Sequence, residues 1–210
     1  VSDPFDRMTD EELLGRIRKG DRDAFPVLVR RYERELYGYL KRYVGRTDLA
    51  EDVFQNTFLA IFRKIKYYEP GRAAKPWLYT IATHQAIDAM RRRGRRPDLF
   101  VQEAAVTDGR GDDDGGMLDR NPGRMPDPAE QSADREQADD VRDAVDALPE
   151  LFKQVILLAY FQGLKYQDVA EALEIPVGTV KSRLNAAVTR LGDLWRERFP
   201  APSSNPEGEP

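Results

Sequence analysis

The chain has 210 residues, of which 33 are Lys or Arg and 37 are Asp or Glu, giving a net charge of −4. One-third charged residues leave room for one large core or two small ones. The absence of cysteine excludes disulfides and thiolate metal sites and suits a reducing cytoplasm.

The net charge conceals a strong asymmetry. Residues 1–97 carry 21 basic against 14 acidic side chains, residues 98–140 carry 4 against 13, and residues 141–210 carry 8 against 10. A basic block, an acidic stretch and a near-neutral block predict three functional parts. The opening VSDPFDRMTDEELL is polar and acidic, and neither a signal peptide nor a membrane span is legible.

A short helix is expected over 9–19. Phe25, Leu28, Val29, Tyr32, Leu36, Tyr39, Leu40 and Tyr43 then recur at helical spacing. So do Ala50, Val53, Phe54, Phe58, Ile61, Phe62 and Ile65, in a helix for which Asp48 is the expected cap and Glu51 its capping-box partner. YYEPGRAAKP interrupts the pattern with Pro70, Gly71 and Pro76. A further helix is expected from about Trp77, with Leu78, Ile81, Ala82 and Ala89 inward and Gly94 and Pro97 as stop signals.

Residues 98–140 include DGRGDDDGGMLDRNPGRMPDP, in which Gly, Pro and acid dominate. Such a composition buries too little apolar surface to offset its ordering entropy, so a flexible linker is expected. DDDGG lacks the alternating ligands and terminal Glu of a calcium loop. From Val141, a stripe of Phe152, Val155, Ile156, Ala159 and Tyr160 predicts a helix ended by Gly163. Val169, Ala170 and Leu173 mark a short helix, IPVG a turn, and Thr179 to about Arg196 another helix. The tail PAPSSNPEGEP is expected to be disordered. The predicted class is all-α: a helical domain over 1–97, an acidic linker over 98–140, a helix-turn-helix over 141–198 and a tail over 199–210.

On a helical wheel Val180, Leu184, Ala187 and Leu191 share one narrow arc. The opposite side is centred on Thr179, Ser182, Asn185 and Ala186, with Lys181 and Arg183 on its flanks and Arg190 one turn beyond Ala186. A polar face alone is most often a solvated one. A short helix and turn just before it make this one fit the major groove, where small residues allow close approach and cations reach phosphate or guanine. The helix N-terminus near Gly178 and Thr179 can itself bind phosphate.

YQDVAEALEIPVGTVKSRLNAAVTRL closely resembles the promoter-reading module of bacterial sigma factors of the extracytoplasmic-function (ECF) group. DALPELFKQVILLAYFQGL resembles the helices that lead into it. The resemblance implies that Thr179, Lys181, Ser182, Arg183, Asn185 and Ala186 read the minus-thirty-five duplex. Ala186 stands where the family usually has a basic residue, Val188 where it often has another, and Lys165 where a hydroxyl commonly caps the helix.

DLAEDVFQNTFLAIFRKI is similar to the family helix that docks on the clamp helices of the largest polymerase subunit. This implies docking by Asp48, Glu51, Asp52 and Gln55; on local grounds alone, first-turn acids are accounted for by the helix dipole. KPWLYTIATHQAIDAMRRRGRR is similar to the segment that melts and reads the minus-ten element. Tyr67, Tyr68, Lys75, Trp77, His84, Arg91, Arg92 and Arg93 are the candidates it implies, through base stacking and backbone contact. Trp77 also fits a core position at the helix start. His84 is the only histidine, and a metal role lacks partner ligands. Five arginines within residues 91–96 exceed what a helix dipole requires.

The resemblance further implies a cytoplasmic location, RNA polymerase core and promoter DNA as partners, an anti-sigma factor as a partner common in the group, and no cofactor. The linker reads either as a mere tether or as a segment that threads the polymerase cleft. An autonomous helix-turn-helix regulator shares the C-terminal module but leaves residues 48–97 unexplained. An adaptor that binds an anti-sigma factor without directing transcription would keep the fold. An enzyme is disfavoured, because no phosphate loop, thiol or metal cluster is present.

Overall fold

The computed structural model describes residues 5, 7–94 and 140–198. The expected linker up to residue 139, the tail, Arg95, Arg96 and Pro97 lie outside the described residues. The described elements are helical, with no strand among them: α1 (Asp10–Arg18), α2 (Ala24–Val44), α3 (Thr47–Lys64), a 3₁₀ turn (Ile65–Tyr67), α4 (Ala74–Arg92), α5 (140–146), α6 (Glu150–Ile156), α7 (Tyr166–Leu173) and α8 (Val177–Arg198).

Helix α1 begins with a capping box that the sequence reading did not identify. The Thr9 hydroxyl accepts from the Glu12 N–H at 3.2 Å, and the Thr9 N–H donates to the Glu12 carboxylate at 2.8 Å. The box expected at Asp48 does not form. Arg46 is the N-cap of α3 without a side-chain hydrogen bond, and Asp48 lies inside the first turn. The Asp48 carboxylate is taken up by the Arg46 guanidinium at 2.7 and 3.1 Å, which removes it from capping.

Helices α1 to α4 enclose the first core. Leu13, Leu14, Leu28, Leu36, Leu40, Ile61 and Leu78 are fully buried in it. An aromatic ladder fills the groove between α2 and α3. Phe25 meets Phe58 and Phe62 edge-on, Phe54 meets Phe58 at 5.1 Å, and Tyr37 meets Phe54 at 5.8 Å. Phe62, expected inward, sits at the open end of this ladder and is 48% exposed. Tyr39 and Thr83 share a buried hydroxyl hydrogen bond of 2.7 Å, which satisfies both groups in the core. Burial pushes the Tyr39 phenol well above its ordinary pKa.

Helix α4 starts at Ala74, three residues earlier than expected, because Pro76 lies in the first turn where its missing N–H costs nothing. Its buried positions include Leu78, Tyr79, Ile81, Ala82, Thr83, Ala86, Ile87 and Met90, far more than a single-sided helix supplies. A helix buried on most of its circumference needs neighbours on two sides. Helices α1 to α3 cover one side, and α7 of the second bundle packs against another. The two bundles therefore share a seam and are not merely tethered.

The second bundle comprises α5 to α8 around Val155, Leu157, Leu158, Val169, Leu173, Val180 and Leu184. Helix α6 widens into a π-type turn over Leu157–Phe161, marked by the Gln162 N–H donating to the Leu157 carbonyl at 3.1 Å. Gly163, with φ of +65°, ends it in a left-handed conformation that suits glycine. Lys165 is the N-cap of α7 and makes no side-chain capping bond. No described helix is long and apolar enough to cross a membrane.

Candidate nucleic-acid interface

Helix α8 follows α7 through a three-residue turn at Glu174, Ile175 and Pro176, which gives the helix-turn-helix geometry. Val180, Leu184 and Ala187 are buried as the wheel required. Lys181, Asn185 and Arg190 are exposed, while Thr179, Ser182 and Ala186 are half-buried. The Ser182 hydroxyl donates to the Thr179 carbonyl at 3.1 Å, leaving its acceptor positions outward. Arg183 departs from this surface. It is only 9% exposed, because its flank of the helix adjoins the core arc, and its guanidinium Nη1 is buried as well.

In the first bundle Asp48, Glu51, Asp52 and Gln55 form an exposed stripe along the N-terminal half of α3. Asp48 is held down to about pKa 2, first by its hydrogen bond with Arg46 and to a smaller extent by Arg93. The Arg93 guanidinium reaches Asp48 at 3.3 Å and Asp52 at 3.6 Å. One of the candidate DNA arginines is thus engaged with the carboxylate stripe, while Arg91 and Arg92 project as exposed residues.

The remaining candidates divide by depth. Tyr67 is 69% exposed and stacks under Lys66, whose ammonium is 4.8 Å from its ring centre. Tyr68 and Trp77 are core residues instead, 1% and 7% exposed, with their rings edge-on at 5.1 Å. The loop before α4 folds inward at Tyr68, whose hydroxyl donates to the Arg72 carbonyl, so these two rings hold the loop. Lys75 pairs with Glu35 at 2.6 Å. His84 is partly covered, with Nε2 3.4 Å from the Glu174 carboxylate of the second bundle.

Several residues at the seam were not singled out from the sequence. The Tyr79 hydroxyl donates to Gln162 Oε1 at 2.6 Å, Arg72 pairs with Glu171, and the Arg42 guanidinium lies 5.0 Å from the Phe161 ring centre. These contacts join residues far apart in the chain, which no local pattern reveals. No group of three or more His, Cys, Asp or Glu residues suited to a metal ion occurs among the described residues.

Chemically, the arrangement offers a groove-sized helix with a small polar centre and cations at its edges. A separate basic helix end and an acidic helix face complete it. Comparison with known proteins finds a family match in each half of the chain. Residues 28–96 match sigma-70 region 2 and residues 138–191 match sigma-70 region 4. The ECF RNA polymerase sigma-E factor of Haemophilus influenzae is 35% identical over 182 residues, covering 85% of this chain and 91% of that protein. The RNA polymerase sigma-H factor of Pseudomonas aeruginosa is 32% identical over 178 residues, covering 83% and 88%. Among solved structures, the sigma factor RpoE of Bartonella quintana in complex with the anti-sigma factor NepR superposes with a TM-score of 0.59 at 25% identity, covering 84% of this chain and 98% of that one. CnrH in complex with the cytosolic domain of CnrY shares the fold, with a TM-score of 0.60 at 20% identity, covering 90% and 97%. With both regions matched in order and relatives above 30% identity along most of their length, the chain belongs to the ECF sigma factors, the promoter-specific initiation subunits of bacterial RNA polymerase.

Proposed function

We propose that the two bundles divide promoter recognition between them while the first also holds the polymerase. Asp48, Glu51, Asp52 and Gln55 dock on the clamp helices of the largest polymerase subunit. Tyr67, Lys75, His84, Arg91 and Arg92 engage melted minus-ten DNA by stacking and phosphate contact. Thr179, Lys181, Ser182, Asn185, Ala186 and Arg190 face the minus-thirty-five duplex in the major groove. Tyr68 and Trp77 support the minus-ten loop from within, and Arg93 is shared with the docking stripe. The chain acts by binding, in the cytoplasm where polymerase and promoter are.

The observation that carries this reading is the exposed polar arc of α8, opposite a fully buried Val180, Leu184 and Ala187 and preceded by a turn of helix-turn-helix geometry. Two modest DNA contacts held on one polymerase gain effective concentration, so neither needs high affinity alone. An anti-sigma factor is the proposed regulatory partner, supported by the similar RpoE–NepR assembly. The test is transcription in vitro with purified core polymerase on a genomic fragment library. Defined start sites that share two spaced elements are expected. Absence of any defined start would overturn the reading, and tight sequence-specific binding to duplex without polymerase would favour an autonomous regulator.

A further inference from the structure

We propose that the outer face of α2 is a further nucleic-acid contact, a track that grips the phosphate backbone of duplex DNA whatever its sequence. It lies apart from the two promoter-reading surfaces and uses none of their residues. All the basic residues of α2 share one face. Placed at about 100° per residue, Arg30, Arg31, Arg34, Lys41 and Arg42 fall in one arc with Gly38 near its middle. The acids of the helix, Glu33 and Glu35, lie outside that arc on either side. Arg30, Arg34 and Lys41 are exposed and follow one another over roughly 16 Å of helix.

Two features of this face weaken the helix that carries it. Arg30 and Arg34 are like charges four positions apart, where an opposite charge would stabilise. Gly38 sits in the interior of a 21-residue helix, where glycine is unfavourable. The fold does not ask for that glycine. A Cβ there would meet nothing within 4 Å, and its backbone is not left-handed. Local costs gathered on one exposed face are expected where an outside partner sets the requirement. The missing side chain lets that partner approach the helix closely between Arg34 and Lys41, which suits a phosphate chain.

The carboxylates nearest the arc are already engaged. Asp10 takes the Arg31 guanidinium and the Tyr32 hydroxyl, each at 2.7 Å, and Glu35 pairs with Lys75 at 2.6 Å. The track also continues beyond α2. Burial raises the Tyr43 phenol, and the Arg91 guanidinium pulls it the other way, so the last turn of α2 lies beside the end of α4. Arg46 and Arg93 meet at the same edge through their shared partner Asp48. The α2 cations therefore run on toward the exposed Arg91 and Arg92. That continuity favours one long polyanion over a compact acidic protein surface.

The test titrates the full chain with a short fluorescent duplex of random sequence at several salt concentrations. Arg34→Gln/Lys41→Gln lowers affinity about three- to tenfold at low salt and reduces the slope of log affinity against log salt by about two. Gly38→Gln raises the melting temperature by about a few degrees, because it removes an interior glycine, yet weakens the duplex about two- to fivefold. A loss in a better-folded helix is not a folding defect. Co-purification with core polymerase stays at the parent level in both variants. An unchanged salt slope in the double variant, or full duplex affinity in Gly38→Gln, would overturn the track. Loss of co-purification with duplex binding intact would overturn it too, and would mark the face as a protein-docking surface. The duplex is read without polymerase or promoter, so the result holds whether or not defined start sites emerge. Absence of start sites strikes the proposed function alone, and an unchanged salt slope strikes the track alone.

Discussion

Arg93, at the end of α4, reaches across the first bundle to the Asp48 carboxylate near the start of α3 at 3.3 Å. The same guanidinium lies 3.6 Å from Asp52. The proposed polymerase-docking stripe and the proposed DNA-contacting arginines therefore meet at a shared edge. A cation that neutralises docking carboxylates is less available to phosphate. Arg93→Ala is expected to weaken single-strand binding by the polymerase complex less than Arg91→Ala does. Equal losses in a side-by-side titration would show that Arg93 leaves the carboxylates when DNA arrives.

Asp48 supplies a pH signature. Its carboxyl is lowered from an ordinary 3.8 to about 2, chiefly by the Arg46 hydrogen bond. A depressed carboxyl contributes stability that is present above the unfolded value and lost as pH falls through the folded one. Its contribution is therefore complete above about pH 4 and fades toward pH 2. Carboxyl NMR should show the low midpoint in the unmodified chain and a return toward 3.8 in Arg46→Gln. A midpoint unmoved by that substitution would rule out Arg46 as the cause.

Asp52→Arg tests docking without disturbing the core, since Asp52 is exposed on α3. Loss of co-purification with core polymerase is expected, with helix content and melting temperature within a degree or two of the parent. Inverting the charge adds repulsion to the loss of an attractive contact, and so exceeds a simple truncation in effect. Normal co-purification would exclude this stripe as the docking surface.

The helices were legible because their apolar residues keep a 3.6-residue period. Leu28, Leu36 and Leu40, or Val180, Leu184 and Ala187, face inward as that period demands. Helix ends were less legible, because neighbouring side chains compete for the same groups. Asp48 resembles a cap until Arg46 claims its carboxylate, and Pro76 resembles a breaker although it fits a first turn. The loop rings were ambiguous for a different reason. Tyr67 and Tyr68 are adjacent, yet one is exposed and the other buried, a distinction made by the path of the loop. The seam was least legible of all. Arg72 and Glu171 are 99 positions apart and both are ordinary surface residue types.

The capping box at α1 has an energetic consequence. Thr9→Ala removes the hydroxyl that accepts from Glu12 and leaves an N-terminal amide without that partner. A loss of about 1 kcal/mol is expected in chemical denaturation, with Thr9→Ser close to the parent. Glu11 on the same helix accepts from the Ala74 N–H at 2.8 Å, so fraying of α1 also loosens the start of α4. Hydrogen exchange at Ala74 should accelerate in Thr9→Ala. Unchanged exchange there would show that α1 and α4 open independently.

Three substitutions along α8 separate reading, steering and packing. Asn185 is exposed at the centre of the polar arc, where an amide can make a bidentate contact to adenine. Asn185→Ala should cost about 1–3 kcal/mol on the preferred duplex and relax selectivity at one base pair. Lys181 is exposed on a flank, where a phosphate is the nearer target. Lys181→Ala should weaken all duplexes alike and reduce the salt dependence by about one counterion. Arg183 is buried beside Leu184 and Ala187, so Arg183→Ala should act first on the bundle, lowering stability by about 0.5–3 kcal/mol. Its duplex affinity should then fall uniformly across sequences, through a less ordered helix. Holoenzyme binding to a panel of single-base promoter variants, together with melting curves, distinguishes the three. A position-specific loss for Arg183→Ala with unchanged melting would mean that its guanidinium turns outward to a base when α8 meets the duplex.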